Sequence, residues 1–494
     1  MNQNYEELAR EIDELLRNPL NSKYLINPYF RISKATPEQI KKYFLLVHNI
    51  PRPLVLIWHL ILIPKNILQF YLHLVLSIIL FFQSSGFKRK IQNCTVLFLS
   101  HGVKRNLNST STDIFFDSLP KYISSKNEKK TAIVYTNQKW FVSRKESILL
   151  SKKNPNFTHI LLPKYLPPGQ NLKYMIRINW FALQSLYLGL KLYFNRPAQS
   201  RVLISSYSSF FNRSTYTNYL LLDSITRSTN SKHLEALVLT FEGHSYEQLL
   251  IDEVTRINEN TKIFLRQHSP IVPFHYGIKF YLSQCRSNVT VFTTGVLYEQ
   301  YFRSISIMPK YISIGSSKVL NHGYFEKSIE SQIKKIVYVP EGSYHTTYEF
   351  IELIKKIIVD TENVMHILRL HPDLKFSLLL QYRLRVLKHC GNFTVSTSSL
   401  HSDLAEANFL FYRSSAVGIE SLNYDLVPVF YADSKLGGLN VLQPNSKAYC
   451  SVVDALGALD CIKRSHVQLP IKSKISILNS YFSSIDYSKL HIVV

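Results

Sequence analysis

The sequence predicts an α/β protein built from two Rossmann-like domains that face a cleft. Short apolar runs alternate with helical stretches, and the alternation starts again after a polar segment past the middle of the chain. The 494 residues also exceed what one hydrophobic core usually holds. Apolar runs of strand length with polar residues at their ends are typical of buried parallel strands, and helices between them give a doubly wound sheet.

The charge balance narrows the class of partner. The chain has 58 Lys+Arg against 34 Asp+Glu, and its net charge of +24 should attract nucleic acid, anionic lipid or phosphorylated substrates. The basic residues are spread along the chain without a zinc-finger or RNA-binding signature, so we expect no nucleic acid partner. The five cysteines lack CxxC spacing, which is typical of reduced thiols in a cytosolic protein and argues against a zinc site: Cys94, Cys285, Cys390, Cys450 and Cys461.

Residues 1–90 are predicted to form an N-terminal helical, membrane-associating segment. The acidic amphipathic stretch Tyr5–Asn18 does not resemble a signal peptide. Two apolar runs follow, Leu54–Ile63 and Ile67–Phe82, with a basic cluster at Lys88–Lys90. They could form a spanning helix, a membrane-surface anchor or buried core helices, and we favour the anchor. The expected location is therefore the cytoplasmic face of the plasma membrane, with the protein peripheral or monotopic.

The first Rossmann-like domain is predicted over residues 91–330, and we expect it to bind the acceptor. A helix is predicted over Leu172–Phe194, and Asn321–Lys334 is predicted to be the linker to the second domain. The predicted strands, each with the polar residues that follow it, are Cys94–Gly102, Thr131–Asn137, His159–Pro163, Arg201–Ser206, Leu237–Gly243, Lys262–Pro270, Val289–Gly295 and Lys310–Ser317.

The second Rossmann-like domain, for the nucleotide sugar, is predicted over residues 331–465. A tail over 466–494 should carry a last helix that packs back on the first domain. Two such halves with a cleft between them form the GT-B architecture of glycosyltransferases, which some sugar-nucleotide epimerases share. The strands with their following loops are Lys334–Ser343, His366–Asp373, Phe409–Ser421 and Leu426–Asp433, and a helix is predicted over Tyr348–Ile358.

Two residues of the first domain are candidates for catalysis. Glu242 ends a strand, Gly243 makes the turn and Glu247 lies in the helix that follows. A carboxylate at the lip of a cleft can deprotonate an acceptor hydroxyl, and an unperturbed glutamate with a pKa near about 4.3 is ionised at neutral pH. His268 ends the next strand. The alternatives are a solvated loop glutamate and a structural histidine.

The second domain offers candidates for nucleotide binding. Arg413, Ser414 and Ser415 lie where a strand runs into a helix, a pattern that supplies backbone N–H groups, two hydroxyls and a guanidinium to a phosphate. Glu420 lies about one turn later and could accept a hydrogen bond from a ribose hydroxyl. His371 follows another strand and could donate to a nucleotide phosphate. The alternative for the serines is an ordinary helix cap. The chain contains no Asp-x-Asp, so we predict no metal site and no cofactor beyond the nucleotide-sugar donor.

The motifs Phe241–Gly243, His371-Pro372 and Ser414-Ser415 resemble the acidic-Gly, His-Pro and Ser-Ser motifs of bacterial GT-B sialyltransferases and polysialyltransferases. The wider pattern from Leu237 to Asp433 is similar to bacterial surface-carbohydrate-biosynthesis proteins close to the Kdo transferases. The resemblance implies that Glu242 is the catalytic base, that His371 contacts the CMP phosphate and that both serines bind this phosphate. The chain departs from those families in its single acid in the first motif and in Asp425-Leu426, where glycine is common.

These observations predict a metal-independent glycosyltransferase of cell-surface polysaccharide biosynthesis. Its donor would be a CMP-activated nonulosonate or Kdo, and its acceptor a glycan or a lipid-linked molecule at an anionic membrane surface. Two alternatives stay open: a CDP-linked polyol-phosphate transferase of the teichoic-acid type, and a non-catalytic GT-B scaffold subunit.

Overall fold

The computed structural model describes most of the chain from Cys94 to Ile492. The described ranges are 94–101, 113, 115–127, 130–136, 157–162, 168–195, 200, 213–228, 233–271, 276–283, 285, 288–318, 324–325, 334–342, 344–371, 374, 378–432, 440–443, 445–464 and 469–492, together with seven residues between 57 and 75. The predicted strand Arg201–Ser206, most of the predicted linker 321–334 and nearly all of the predicted membrane segment lie outside these ranges. Within them, no helix is long and apolar enough to cross a membrane.

The first sheet has seven parallel strands in the order β3-β2-β1-β4-β5-β6-β7. Successive residues of β1 point into two different cores, with Leu97 and Leu99 on one face and Val96 and Phe98 on the other. Burial on both faces explains why these strands are almost continuously apolar in the sequence. The strands are β1 Val96–His101, β2 Thr131–Thr136, β3 Phe157–Leu161, β4 Ala236–Thr240, β5 Lys262–Arg266, β6 Val289–Thr293 and β7 Lys310–Ser313.

The second sheet has six parallel strands in the order β10-β9-β8-β11-β12-β13. Numbered from its own first strand, this order is 3-2-1-4-5-6, the same as the first six strands of the other sheet. The prediction of two parallel, Rossmann-like sheets is confirmed, and the arrangement is GT-B-like. The strands are β8 Lys334–Val339, β9 Val364–Leu368, β10 Phe393–Val395, β11 Phe409–Tyr412, β12 Val427–Tyr431 and β13 Cys450–Val452.

Twelve α-helices lie within the described ranges. The long helix α2 begins at Pro168, four residues before the predicted start, and α7 begins at Tyr344, also four residues early. A proline at the first helical position loses no hydrogen bond. The helices are α1 Leu119–Asn127, α2 Pro168–Lys191, α3 Arg213–Ser228, α4 Ser245–Ile257, α5 Tyr276–Ser283, α6 Val296–Ile305, α7 Tyr344–Ile357, α8 Leu378–Lys388, α9 Leu400–Glu406, α10 Val417–Glu420, α11 Ala455–Lys463 and α12 Ile471–Tyr481.

The end of the chain is bonded to both sheets. After α12, the backbone N–H of Ser483 donates to the carbonyl of Thr294 at 2.8 Å, and that of Asp486 donates to Ile314 at 3.0 Å. On the other side, the buried Lys474 of α12 donates to the carbonyls of Tyr424 and Leu426 at 3.3 and 3.2 Å. Burial lowers the pKa of Lys474. The tail therefore joins the carboxyl edge of the first sheet to the second domain.

Two glycines allow the tail to approach the first sheet so closely. A Cβ atom on Gly295 would lie 2.4 Å from the carbonyl oxygen of Tyr481, and one on Gly315 would lie 2.1 Å from that of Ser484. Gly315 also has a φ of 84°, in the left-handed region that favours glycine. These positions accept no side chain without moving backbone.

Candidate active site

The candidate residues lie where the strand order of each sheet reverses. In the first sheet this point lies between β1 and β4, and Glu242 follows β4. In the second sheet it lies between β8 and β11, and Ser414 follows β11. Such reversals leave a crevice outside the carboxyl ends of the strands, where ligands bind in open α/β sheets. The two sheets thus place Glu242 and Ser414 at equivalent positions.

The turn that carries Glu242 is held by the first turn of α4. Gly243 has a φ of 77°, which turns the chain sharply after β4. The Glu247 carboxylate then accepts the backbone N–H groups of Glu242, Gly243 and His244 at 2.9 to 3.2 Å. Burial raises the pKa of Glu247 well above its usual range, and these backbone N–H groups act in the opposite direction. Glu247 therefore fixes the backbone that carries Glu242.

The Glu242 carboxylate lies between two imidazoles. Its Oε2 is 2.9 Å from Nε2 of His244, and its Oε1 is 3.0 Å from Nε2 of His268. The Glu242 side chain is 9% exposed, so it is largely shielded from bulk water but still reachable. The structure brings together both predicted catalytic residues, because they follow the adjacent parallel strands β4 and β5. His244 is the third residue of this contact group. Sequence reasoning missed it, although it lies only two residues after Glu242.

The loop of His268 is braced by its neighbours. Gln267 is fully buried, and its Oε1 accepts the backbone N–H and the hydroxyl of Thr294 at 2.9 and 3.1 Å. The ring of Phe115 meets the His268 imidazole edge-on at 4.9 Å between centroids. These contacts restrict the imidazole, so that the contact between His268 and Glu242 is preorganised rather than a chance surface pair.

A buried ion pair supports this edge of the sheet. Arg266, at the end of β5, donates to Oδ2 of Asp117 at 2.9 Å and to the carbonyls of Thr293 and Gly315 at 3.2 and 2.6 Å. Asp117 has a φ of 55° and also accepts the hydroxyl of Ser317. With its charge paired with that of Asp117, Arg266 joins the loop of Asp117, the end of β6 and the loop after β7.

Lys318 connects the first domain to the second. Its Nζ donates to the carbonyl of His268 at 3.3 Å and lies 3.9 Å from Oε1 of Glu420 in α10. It also lies over the ring of Phe482 at 5.4 Å from the centroid. Glu420, predicted to contact a ribose, is thus linked through Lys318 to the loop that carries His268. Lys318 was missed because a lone lysine in a loop carries no sequence signal.

The Ser-Ser segment differs from the expected helix cap. Helix α10 has only four residues, Val417–Glu420, so the segment after the serines is a single helical turn, and the predicted phosphate contact of Ser414 and Ser415 stays a prediction. Ser415 accepts the Val417 N–H at 3.3 Å, as a local turn would. Ser414 has a φ of 51°. Its hydroxyl is buried and has no hydrogen-bond partner among the described residues. Ser414 therefore combines a strained backbone with an unused hydroxyl.

Arg413, which was predicted to contact a phosphate, is paired with a carboxylate in the structure. The side chain is 3% exposed, its NH1 is paired with Glu349 of α7, and its Nε donates to the carbonyl of Tyr431 at 2.7 Å. The guanidinium also lies over the rings of Tyr431 and Phe350, at 4.7 and 5.8 Å from their centroids. With its charge already paired, Arg413 is a packing element between α7 and β12.

His371 lies at the carboxyl edge of the second sheet, after β9. It is exposed, and its imidazole lies against Gly342 in the loop after β8, where a Cβ atom would come within 3.0 Å of Nδ1. Its backbone carbonyl accepts the N–H of Leu374 at 2.9 Å. This position is beside the strand reversal that also carries Ser414, so its predicted contact with a nucleotide phosphate stays a prediction that the fold permits.

Comparisons with known proteins give structural likeness only. No protein-family model and no curated protein matches the chain. Among solved structures, the wall teichoic acid polymerase TagF soaked with CDPG is similar at 14% identity, over 86% of this chain and 95% of that one, with a TM-score of 0.41. MnaA of S. aureus with UDP is similar at 8% identity, over 79% and 91% of the two chains, with a TM-score of 0.42. The α,α-trehalose 6-phosphate synthase of Burkholderia multivorans is similar at 10% identity, over 78% and 92%, with a TM-score of 0.43. Likenesses this distant leave the function to be inferred from the site itself.

Proposed function

We propose that this chain is a glycosyltransferase that moves a sugar from a CMP-linked donor to a hydroxyl group of a glycan or lipid-linked acceptor. The observation that carries the proposal is the Glu242 carboxylate, held between His244 and His268 at the strand reversal of the first sheet. Lys318 joins this group to Glu420 of the second domain. A shielded, oriented carboxylate beside a second polar crevice fits group transfer better than a purely structural role.

In the proposed reaction, Glu242 acts as the general base. It takes the proton of the acceptor hydroxyl while the acceptor oxygen attacks the anomeric carbon of the donor sugar. The bond between that carbon and the nucleotide phosphate breaks, and the phosphate leaves with the electron pair. The imidazoles of His244 and His268 orient the carboxylate and stabilise its charge, since each can donate a hydrogen bond from Nε2.

The leaving phosphate gains negative charge, so the second domain should supply donors. The hydroxyl of Ser414 and the imidazole of His371 are the candidates there, and the ammonium group of Lys318 lies between the domains. Arg413 is not among them, because Glu349 already neutralises it. Lys318, which lies 3.9 Å from Glu420, and a few neutral donors suit a nucleoside monophosphate leaving group better than a diphosphate, which carries more charge.

The base is tested by Glu242→Gln, which keeps the shape but cannot accept a proton. We expect the release of CMP from a CMP-sugar in the presence of acceptor to fall about 10²–10⁴-fold, with CMP affinity nearly unchanged. Glu253→Gln, in the exposed Glu253–Arg256 pair of α4, is the matched control and should keep full activity. Unchanged turnover in Glu242→Gln would remove Glu242 from the mechanism.

The donor class is tested by thermal shift and by turnover with CMP-sialic acid, CMP-Kdo, CDP-glycerol and a UDP-sugar. CMP should stabilise the protein more than CDP, UDP or GDP, because a ligand at about 100 times its dissociation constant adds roughly 2.7 kcal/mol to the folded state. Turnover of CDP-glycerol alone would indicate a polyol-phosphate transferase instead. Binding of nucleotides without turnover of any donor would indicate a scaffold subunit.

A further inference from the structure

Helix α2 is apolar on the side that faces away from the protein as well as on the side that is buried. Its inward face includes Ile178, Phe181 and Ala182 in the core of the first domain. The outward face carries large apolar side chains that are 47% to 83% exposed: Leu172, Ile176, Trp180, Leu183, Tyr187 and Leu190, with Phe194 in the turn that follows. A surface helix of a soluble protein ordinarily turns charged residues to this side.

The exposed residues form one continuous stripe. They recur every three or four positions, so they lie on a single face of the helix. From Leu172 to Phe194 the stripe is about 33 Å long at 1.5 Å per residue. A contiguous apolar surface of this length marks a site of contact with a partner or a membrane.

The charges on α2 all have one sign. Lys173 and Arg177 are exposed near its start and Lys191 at its end, and the helix contains no Asp or Glu. The pKa of Glu253 on α4 is lowered by its hydrogen bond with Arg256 and further by the charges of Arg177 and Lys173. Large apolar side chains flanked by cations are the pattern of helices that lie in the interface of an anionic membrane.

Two other partners could cover this surface, a second copy of the protein and another segment of the same chain, but both complement it less well. Pairing of α2 with α2 of a second copy would bring cations together without an acid on the helix to compensate them. The chain's own apolar segment 54–82 has a lysine and no Asp or Glu, so it could cover the stripe but would leave the cations without a counter-charge. An anionic phospholipid surface complements both the apolar stripe and the charges.

We propose that the outward face of α2 is a membrane-docking surface. The helix lies in the plane of the bilayer interface, with the stripe from Leu172 to Phe194 toward the acyl chains and the three cations among anionic headgroups. The proposal does not depend on the donor or on catalysis, and it assigns membrane contact to an element of the first domain rather than to residues 54–82.

Vesicle co-sedimentation of the full chain tests the proposal. We expect wild type to bind vesicles that contain phosphatidylglycerol more tightly than vesicles of phosphatidylcholine alone. The double variant Trp180→Glu/Leu183→Glu should weaken binding by a factor on the order of ten or more, since two buried apolar side chains are lost to the lipid. Leu456→Glu, at an exposed apolar residue of α11, is the control and should bind as wild type.

The remaining outcomes each contradict the proposal. Unchanged binding of the double variant to phosphatidylglycerol vesicles would show that α2 does not meet the lipid. A lower melting temperature with unchanged vesicle binding would indicate that segment 54–82 covers the stripe. A change of oligomeric state by size-exclusion chromatography with light scattering, again with unchanged vesicle binding, would indicate a second copy on this face.

A second measurement keeps the test independent of the double variant. The chain has three tryptophans, and Trp58→Phe/Trp140→Phe leaves Trp180 as the sole fluorophore. Phospholipids brominated on their acyl chains should quench this emission when the protein binds. Absence of quenching on bound vesicles would place Trp180 outside the membrane and overturn the proposal.

Discussion

Single residues carry the candidate chemistry. Ser414 is the clearest case of a residue whose conformation lowers stability at a candidate binding position. A left-handed φ costs a non-glycine residue about 1–2 kcal/mol, and a buried hydroxyl without a partner adds a desolvation cost. Strain of this kind persists where the surrounding structure enforces it and often marks a binding site. For Ser414, these costs would be offset when the phosphate of a bound donor accepts a hydrogen bond from the hydroxyl.

We predict that Ser414→Gly raises the unfolding free energy by up to about 1 kcal/mol, because glycine adopts a positive φ without strain. The same variant should bind CMP more weakly, because the hydroxyl is gone. Ser414→Ala is the matched control, since it removes the hydroxyl but keeps the strain. Denaturant titration and CMP calorimetry measure the two effects. Full CMP affinity in both variants would exclude Ser414 from the nucleotide site.

At the residue scale, the order of the apolar runs indicated which residues lie at the same edge of a sheet, whereas pairings that depend on the detailed fold were missed. Glu242 and His268 follow adjacent strands, so their contact could be anticipated from the order of the runs. The pairing of Arg413 with Glu349 could not, because it joins α7 to β11 across 64 positions of sequence. An arginine beside two serines predicts a phosphate site unless the carboxylate that pairs with the arginine is known.

At the scale of elements, each sheet contains a buried tyrosine–histidine pair across two adjacent strands. Tyr135 of β2 bonds His159 of β3 at 3.0 Å, and Tyr338 of β8 bonds His366 of β9 at 2.8 Å. In each pair the two rings are stacked, with centroids 5.8 Å apart. His366 also bonds the Thr361 hydroxyl at 2.8 Å. Burial lowers the pKa of each histidine to about 4, so both are neutral in the folded protein at neutral pH.

These histidines should make stability fall as the solution is acidified. In the unfolded chain each protonates near about pH 6.5, whereas in the folded chain it resists protonation down to about pH 4. Protons therefore favour the unfolded state between these limits. We predict that His366→Gln reduces the slope of unfolding free energy against pH by about 1.4 kcal/mol per pH unit in this window.

Urea titrations at several pH values between 4.5 and 7 measure this slope. His401→Gln is the control, since His401 is an exposed histidine whose ring hydrogen-bonds the Tyr424 hydroxyl. An equal slope in wild type and His366→Gln would mean that His366 takes up its proton at the same pH in the folded and the unfolded chain.

The element pattern was the most predictable level of this structure. Apolar runs of four to six residues indicate buried strands, because each strand in a parallel sheet is covered on both faces. Helix α10 is an element that the local sequence pattern does not predict correctly. The residues after Ser415 suit a helix, but the chain turns into a 3₁₀ segment, Ser421–Asn423, that packs on α12. That packing is a tertiary contact with a segment about fifty positions away, and no local pattern encodes it.

At the scale of the whole molecule, the tail joins the two domains. We predict that Gly315→Ala destabilises the protein by on the order of 3 kcal/mol, because the added Cβ meets the backbone of Ser484 and the φ is positive. Gly391→Ala is the matched control, since a Cβ there meets nothing within 4 Å. Thermal melts compare the two. Equal melting temperatures would show that the tail can move aside without cost.

The tail also sets an order of events when the protein is made. Leu490 and Phe482 are buried in the two cores of the first domain, although both cores include residues of β1, which was synthesised nearly four hundred residues earlier. A growing chain on the ribosome therefore holds this domain with an uncovered apolar edge until the last segment has emerged. A prematurely terminated product would keep that edge exposed permanently, and quality-control proteases would recognise it.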